Sequence, residues 1–98
     1  MSIIGSISLT ATDVGAFTNS LDSLMVLADS VADHGGRYLV KGGSIESVQG
    51  EPPPDRLLLL EFAHIGQARA WMRSLAFAQL VELASTCSRM QTVFMEGV

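Results

Sequence analysis

From Ile3 to Thr10 the chain alternates, with Ile3, Gly5, Ile7 and Leu9 on one side and Ile4, Ser6, Ser8 and Thr10 on the other. That is the two-residue period of a strand. The period then changes. After Thr12 and Asp13, either of which can cap a helix, Val14, Phe17, Leu21, Leu24, Met25, Ala28, Val31 and Ala32 recur at three- and four-residue steps. This spacing predicts a helix to about His34, stopped by Gly35-Gly36 because glycine enters the left-handed conformation at little steric cost. Arg37 to Val48 reads as a second strand, and the Gly42-Gly43 pair inside it predicts a bend at its middle. The segment Gly50-Glu51-Pro52-Pro53-Pro54-Asp55 can continue neither a ladder nor a helix, so it is a loop, and Leu57 to Phe62 follows as a third strand. Gln67 to about Ser74 and Phe77 to Thr86 carry helical spacing with room for a kink between them, and Gln91 to Glu96 closes the chain as a strand.

The resulting order, βαββαβ, is the split βαβ arrangement: an α+β, ferredoxin-like domain in which right-handed crossovers put both helices on one face of a four-stranded antiparallel sheet. The third strand then poses a problem. It offers Leu58, Leu60 and Phe62 to one side and Leu57 and Leu59 to the other, yet the helices cover only one side. A second copy of the chain is the economical cover for the other, so a homodimer through the sheet faces is expected.

Composition narrows the partners. Ninety-eight residues, 48% of them apolar, make a single domain over 1-98, and the mean hydropathy of +0.35 leaves apolar surface for a partner. The net charge is −4, and the six basic residues form no run able to track a phosphate backbone, which argues against nucleic acid. No apolar run approaches the roughly 20 residues a membrane span needs. The lone Cys87 has no internal disulfide partner and no signal-peptide pattern opens the chain, so a cytoplasmic setting is expected.

The stretch Gly35-Gly36-Arg37-Tyr38-Leu39-Val40-Lys41-Gly42-Gly43, then Pro53-Pro54-Asp55-Arg56-Leu57, Glu61-Phe62 and Ala68-Arg69-Ala70-Trp71, resembles the domain-of-unknown-function family thirteen-thirty in order and spacing over roughly residues 31 to 97. The resemblance implies a dimeric α/β-barrel architecture, pairing sheet against sheet. The wider group to which it points includes cofactor-independent oxygenases, isomerases, cyclases and haem enzymes with pockets between sheet and helices. Two departures stand out. The first strand lacks the aromatic residues that commonly open it in the family, and Ser74-Leu75-Ala76-Phe77-Ala78 is more apolar than the break expected before the last helix, which implies a greasier pocket mouth at Phe77.

His34, His64 and Cys87 show no metal-ligand spacing, and neither glycine pair is followed by a helix that would cradle phosphate, so no metal and no cofactor is expected. Arg37 and Lys41 are expected to share one face of the second strand, with Tyr38 on the other. They suit an anion-binding pair with a phenolic proton donor, or else an edge strand kept from pairing by its charges. Glu61, at the end of a greasy strand, reads as a general base or as half of an ion pair with Arg56, Arg69 or another base at the strand end. His34 reads as a further catalytic group or a partner of the helix dipole. Trp71 reads as core, as ligand platform, or as both. The small hydroxyls of Ser6 and Ser8 suit a cavity floor, or a place for ordered water. Together these residues point to a cofactor-independent enzyme of isomerase, cyclase or monooxygenase type. Its catalytic groups would be Arg37, Tyr38, Glu61 and His34, and Ser6, Ser8, Lys41, Trp71 and Phe77 would line a site for a small apolar carbonyl or phenolic metabolite. The alternatives are a binding or accessory protein without turnover, and a haem-linked activity with His34 or His64 as axial ligand.

Overall fold

The computed structural model describes residues 1–98. Its elements run β1 (Ile3–Ala11), α1 (Val14–Ala28), a 3-10 turn (Asp29–His34), β2 (Arg37–Lys41), β3 (Arg56–Phe62), α2 (Ile65–Met72), α3 (Leu75–Ser85) and β4 (Ser88–Glu96). The strands form one sheet in the order β2-β3-β1-β4, every neighbouring pair antiparallel, which is the ferredoxin-like α+β arrangement. Helix α1 starts where the Asp13 carboxylate accepts from the Ala16 N–H at 3.0 Å, and the turn after it ends at Gly35, whose φ of 80° is the left-handed conformation. The break that the sequence allowed between its two late helical stretches is real: Ser74 takes extended backbone and its hydroxyl accepts from the Phe77 N–H, capping α3 afresh.

The second strand is shorter than its sequence pattern suggests. It ends at Lys41 instead of continuing to Val48, because Gly42 and Gly43 have φ of 79° and 94°, outside any strand conformation. A bulge lies inside it: Tyr38 faces Leu60 and Val40 faces Leu59, leaving Leu39 as the extra residue. This overturns the expectation that Arg37 and Lys41 share a face, since the inserted residue moves Lys41 onto the side of Tyr38.

Helices cover the sheet face made by Ile3, Gly5, Ile7 and Leu9 of β1 and Leu58, Leu60 and Phe62 of β3. Between the layers Leu24, Leu58, Leu60, Phe62, Trp71 and Leu80 are sealed from water. The Trp71 indole lies edge-on to Phe77 with centroids 4.7 Å apart and donates to Ser30 Oγ at 2.9 Å, so its one polar atom is satisfied. At Gly5 a Cβ would stand 2.8 Å from Phe94 Cε1; the glycine is what lets that ring lie on the sheet.

No helix lies over the other face, and the molecule measures only 17 Å in its thinnest direction. Its side chains fall in rows across the strands. One row runs Arg37, Glu61, Ile4, Met95; the next runs Val40, Leu59, Ser6, Val93; then come Leu57, Ser8 and Gln91. The second row is apolar apart from one hydroxyl, with Val40 38% and Val93 39% exposed. No helix of the protein is long and apolar enough to cross a membrane.

Candidate functional site

The strands β3 and β4 finish at the end of the sheet where β1 and β2 begin, and the main concave surface of the protein is there. After Phe62 the chain turns through Ala63 and His64. His64 has extended backbone at the cap position of α2 and makes no side-chain capping bond; Gln67 instead reaches back, its Oε1 accepting from the Ala63 N–H at 3.0 Å. The imidazole is therefore left without a hydrogen-bond duty, and it folds over Gly66, where a Cβ would sit 3.2 Å from Nδ1. Ile65 and Arg69, one helical turn apart on α2, stand beside it. Facing them across the mouth of the sheet–helix layer are Ile3 and Phe94, with Met1, Met95 and Glu96 around the rim. Together they enclose a hollow of about 440 Å³. That volume is in the range of sites for small organic molecules, and its lining, apolar with a few polar groups, has the composition such sites share.

A second, smaller hollow of about 240 Å³ lies at the same end, bordered by Ser2, Gly35, Arg37, Glu61, Phe62 and Ala63. Here the structure brings Arg37 and Glu61 together: Nε donates to Oε1 at 2.8 Å and the terminal nitrogen lies 2.7 Å from the same oxygen. Cross-strand pairing of the two positions produces this contact.

Tyr38 and Lys41 belong to a different cluster on the helix side of β2. Asp29 Oδ1 accepts from the Tyr38 hydroxyl at 2.8 Å and pairs with Lys41 Nζ at 2.9 Å, while the lysine nitrogen stands 4.9 Å from the tyrosine ring centre. The Lys41 hydrogen bond, with help from the Tyr38 hydroxyl, holds the Asp29 carboxyl below its ordinary value. Burial and the facing carboxylate push the Tyr38 phenol well above its own. A phenol so placed keeps its proton and its bond to Asp29, which suits clamping the edge strand to the 3-10 turn.

The remaining sequence-predicted positions do not converge on either hollow. Trp71 is fully buried and Phe77 packs against it beneath the helices, whereas Ser6 and Ser8 lie on the opposite, uncovered face, so the sheet itself separates them. His34 ends the 3-10 turn, half-buried, and borders neither hollow. No three His, Cys, Asp or Glu side chains gather as a metal-binding group. Of the two candidate axial ligands His64 lines the larger hollow and His34 does not, and the space between the layers is packed by Phe62, Trp71 and Leu80. Sequence reasoning missed the lining of the larger hollow, apart from noticing His64 and Arg69 for other reasons. Its parts come from β1, the turn before α2, α2 itself and β4, and no local spacing announces their meeting.

The fold is shared with solved proteins of very different sequence. A dimeric ferredoxin-like protein of unknown function from Jannaschia sp. CCS1 aligns with a TM-score of 0.75 at 14% identity, covering 99% of this chain and 100% of that one. An ethyl tert-butyl ether d (EthD) family protein from Bacillus halodurans aligns at 0.72 and 14%, covering 100% and 99%. SnoaB, a cofactor-independent oxygenase from Streptomyces nogalater, aligns at 0.62 and 9%, covering 99% and 93%. No curated protein matches the chain. The model of the family described as "Domain of unknown function (DUF1330)" matches residues 25–98, and the chain belongs to that family.

Proposed function

We propose that this chain works as a homodimer that binds a small, largely apolar carbonyl or phenolic metabolite in the larger hollow and acts on it without a cofactor. The observation that carries the reading is the lining of that hollow. Ile3, Ile65 and Phe94 offer apolar wall beside His64 and Arg69, the only basic side chains there. Burying an alkyl or aryl body on that wall contributes about 25 cal/mol per Å². The guanidinium of Arg69 favours an oxygen that carries negative charge over the same oxygen when neutral, so removing a proton from the bound molecule is eased where enolate or phenolate develops. An imidazole is suited to take that proton near neutrality, and His64 is the one facing the hollow. Glu96 on the rim disfavours a second anionic group on the ligand. SnoaB supports the cofactor-free part of the reading, since that oxygenase is built on the same fold.

Pairing through the sheets is supported by the uncovered face, with its apolar row of Val40, Leu59 and Val93, and by the dimeric Jannaschia protein. Arg37 and Glu61 enter beside the second hollow as an ion pair, the guanidinium suited to hold an oxyanion and the carboxylate to take a proton, a role separate from that of His64.

The test is native mass spectrometry of the purified protein, followed by an NMR screen of aromatic and carbonyl metabolites against the wild type, His64→Ala and Arg69→Ala. Each variant is expected to weaken the hits by about tenfold, the loss typical of a charge-assisted hydrogen bond. Unchanged binding in both variants would sink the site. A bound compound recovered chemically unaltered would favour a binding protein without turnover. Unchanged turnover in Arg37→Ala and Glu61→Gln would remove that pair from the reaction.

A further inference from the structure

The ligand hollow and the uncovered sheet face meet at one residue. Successive strand residues point to opposite faces, so Phe94 points to the helix side and Met95 to the open side, where its register partner is Ile4. Both nevertheless line the hollow, which thus reaches the end of β4 where the two faces of the sheet meet. Met95 is 48% exposed and nothing in the single chain covers that side of it.

Resting on the dimer and ligand readings above, we infer that the second copy completes the wall of the hollow, so that ligand occupancy and chain pairing strengthen each other. The apolar row Val40, Leu59, Ser6, Val93 is the seat for a copy, and Met95 belongs to the adjoining row. Adjoining rows are two residues apart along the strands, about 7 Å, and facing sheets pack about 10 Å apart. A copy seated on the apolar row therefore overhangs Met95, and the pliant thioether is pressed toward the hollow. The ligand then meets a closed wall in the dimer and an open one in the monomer. By linkage, whatever factor pairing adds to the affinity of each hollow, each bound ligand adds to pairing.

The probe is 2-naphthoate, an aromatic body with one anionic group. Binding is followed through the Ile65 and Glu96 backbone amides, and chain pairing by sedimentation. Val93 does not line the hollow, so Val93→Lys disturbs only the seat. Val93→Lys is expected to sediment as a folded monomer and to bind 2-naphthoate about tenfold more weakly, within the usual range for coupled sites. Val40→Lys, on the opposite edge strand, should do the same, which covers the case in which one variant misfolds. Saturating 2-naphthoate fills both hollows of the pair, so it should lower the concentration at which the wild type dissociates by the square of that factor, about a hundredfold. Folded monomeric variants that bind 2-naphthoate as tightly as the wild type overturn the inference and leave the dimer reading standing. A wild type that sediments as a monomer overturns the dimer reading, and a wild-type dimer whose two amides do not respond overturns the ligand reading; either also removes this inference.

Discussion

On the helix side of β3, Leu58, Leu60 and Phe62 are shut away from water, while one residue along in each case, Leu57, Leu59 and Glu61 are only partly covered. The same strand thus has one finished face and one unfinished face. On the finished side the packing is mutual and aromatic: Phe62 meets Trp71 at 6.1 Å and Phe94 at 6.1 Å, and every polar atom brought in has a partner. On the unfinished side leucine and valine alternate with serine, and the hydroxyls of Ser6 and Ser8 make no bond within the chain. Where a short chain spends this much leucine on a strand without covering it, the missing layer is to be sought outside the chain.

Several substitutions break or sharpen that contrast. The largest effect belongs to the finished face. Trp71→Ala removes the centre of its aromatic cluster and the donor to Ser30 Oγ, and should cost about 4 kcal/mol in urea unfolding. Gly5→Ala, on the same face, drives a methyl group against the Phe94 ring. A loss of about 2 kcal/mol is expected, with displaced Phe94 ring resonances and a changed ligand affinity, because that ring is also wall of the hollow. On the unfinished face Leu59→Ala should cost only about 1 kcal/mol at high dilution. Its penalty should grow as protein concentration rises, a dependence absent from Trp71→Ala and read from unfolding midpoints across a dilution series.

The smallest effect lies at the sheet edge. The Asp29 carboxyl titrates lower in the folded chain than its ordinary 3.8, so its ionised form favours the fold. That contribution is present above the ordinary value and is lost as pH falls below it. Asp29 is about half exposed, so Asp29→Asn should cost less than about 1 kcal/mol at neutral pH. The gap between variant and wild type should narrow as pH falls below 3.8 and close once pH is below the depressed folded value, followed by circular dichroism of unfolding.

Much of this fold was legible because its signals are local. The alternation of Ile3 to Thr10, the Asp13 cap and the Gly35 stop each act within a few residues, and the two-sided leucines of β3, set in the βαββαβ order, pointed to a face that the helices leave uncovered. What escaped depends on longer reach. The glycine pair after Lys41 suggested a bend, yet both glycines take conformations that end the strand. The bulge at Leu39 carries no compositional mark and sends Lys41 to Asp29 instead of to Arg37. The Arg37–Glu61 pair was half legible: an ion pair at Glu61 was expected with Arg56, Arg69 or another nearby base, and cross-strand register gives it to Arg37. The hollow was illegible because its wall is shared among four segments.

The bulge in β2 has one more consequence, concerning how assembly stops. A sheet edge with free N–H and C=O groups can recruit strand after strand, and the product is an endless ribbon. β2 is such an edge, with exposed Leu39 and Val40 that favour extended backbone. It is only five residues long, skewed at its middle by Leu39, drawn down by Lys41 and Asp29, and cut off by Gly42. A face, by contrast, is used up by the first partner that covers it. By spoiling this edge and leaving the face intact, the chain favours pairing through the face over strand addition at β2.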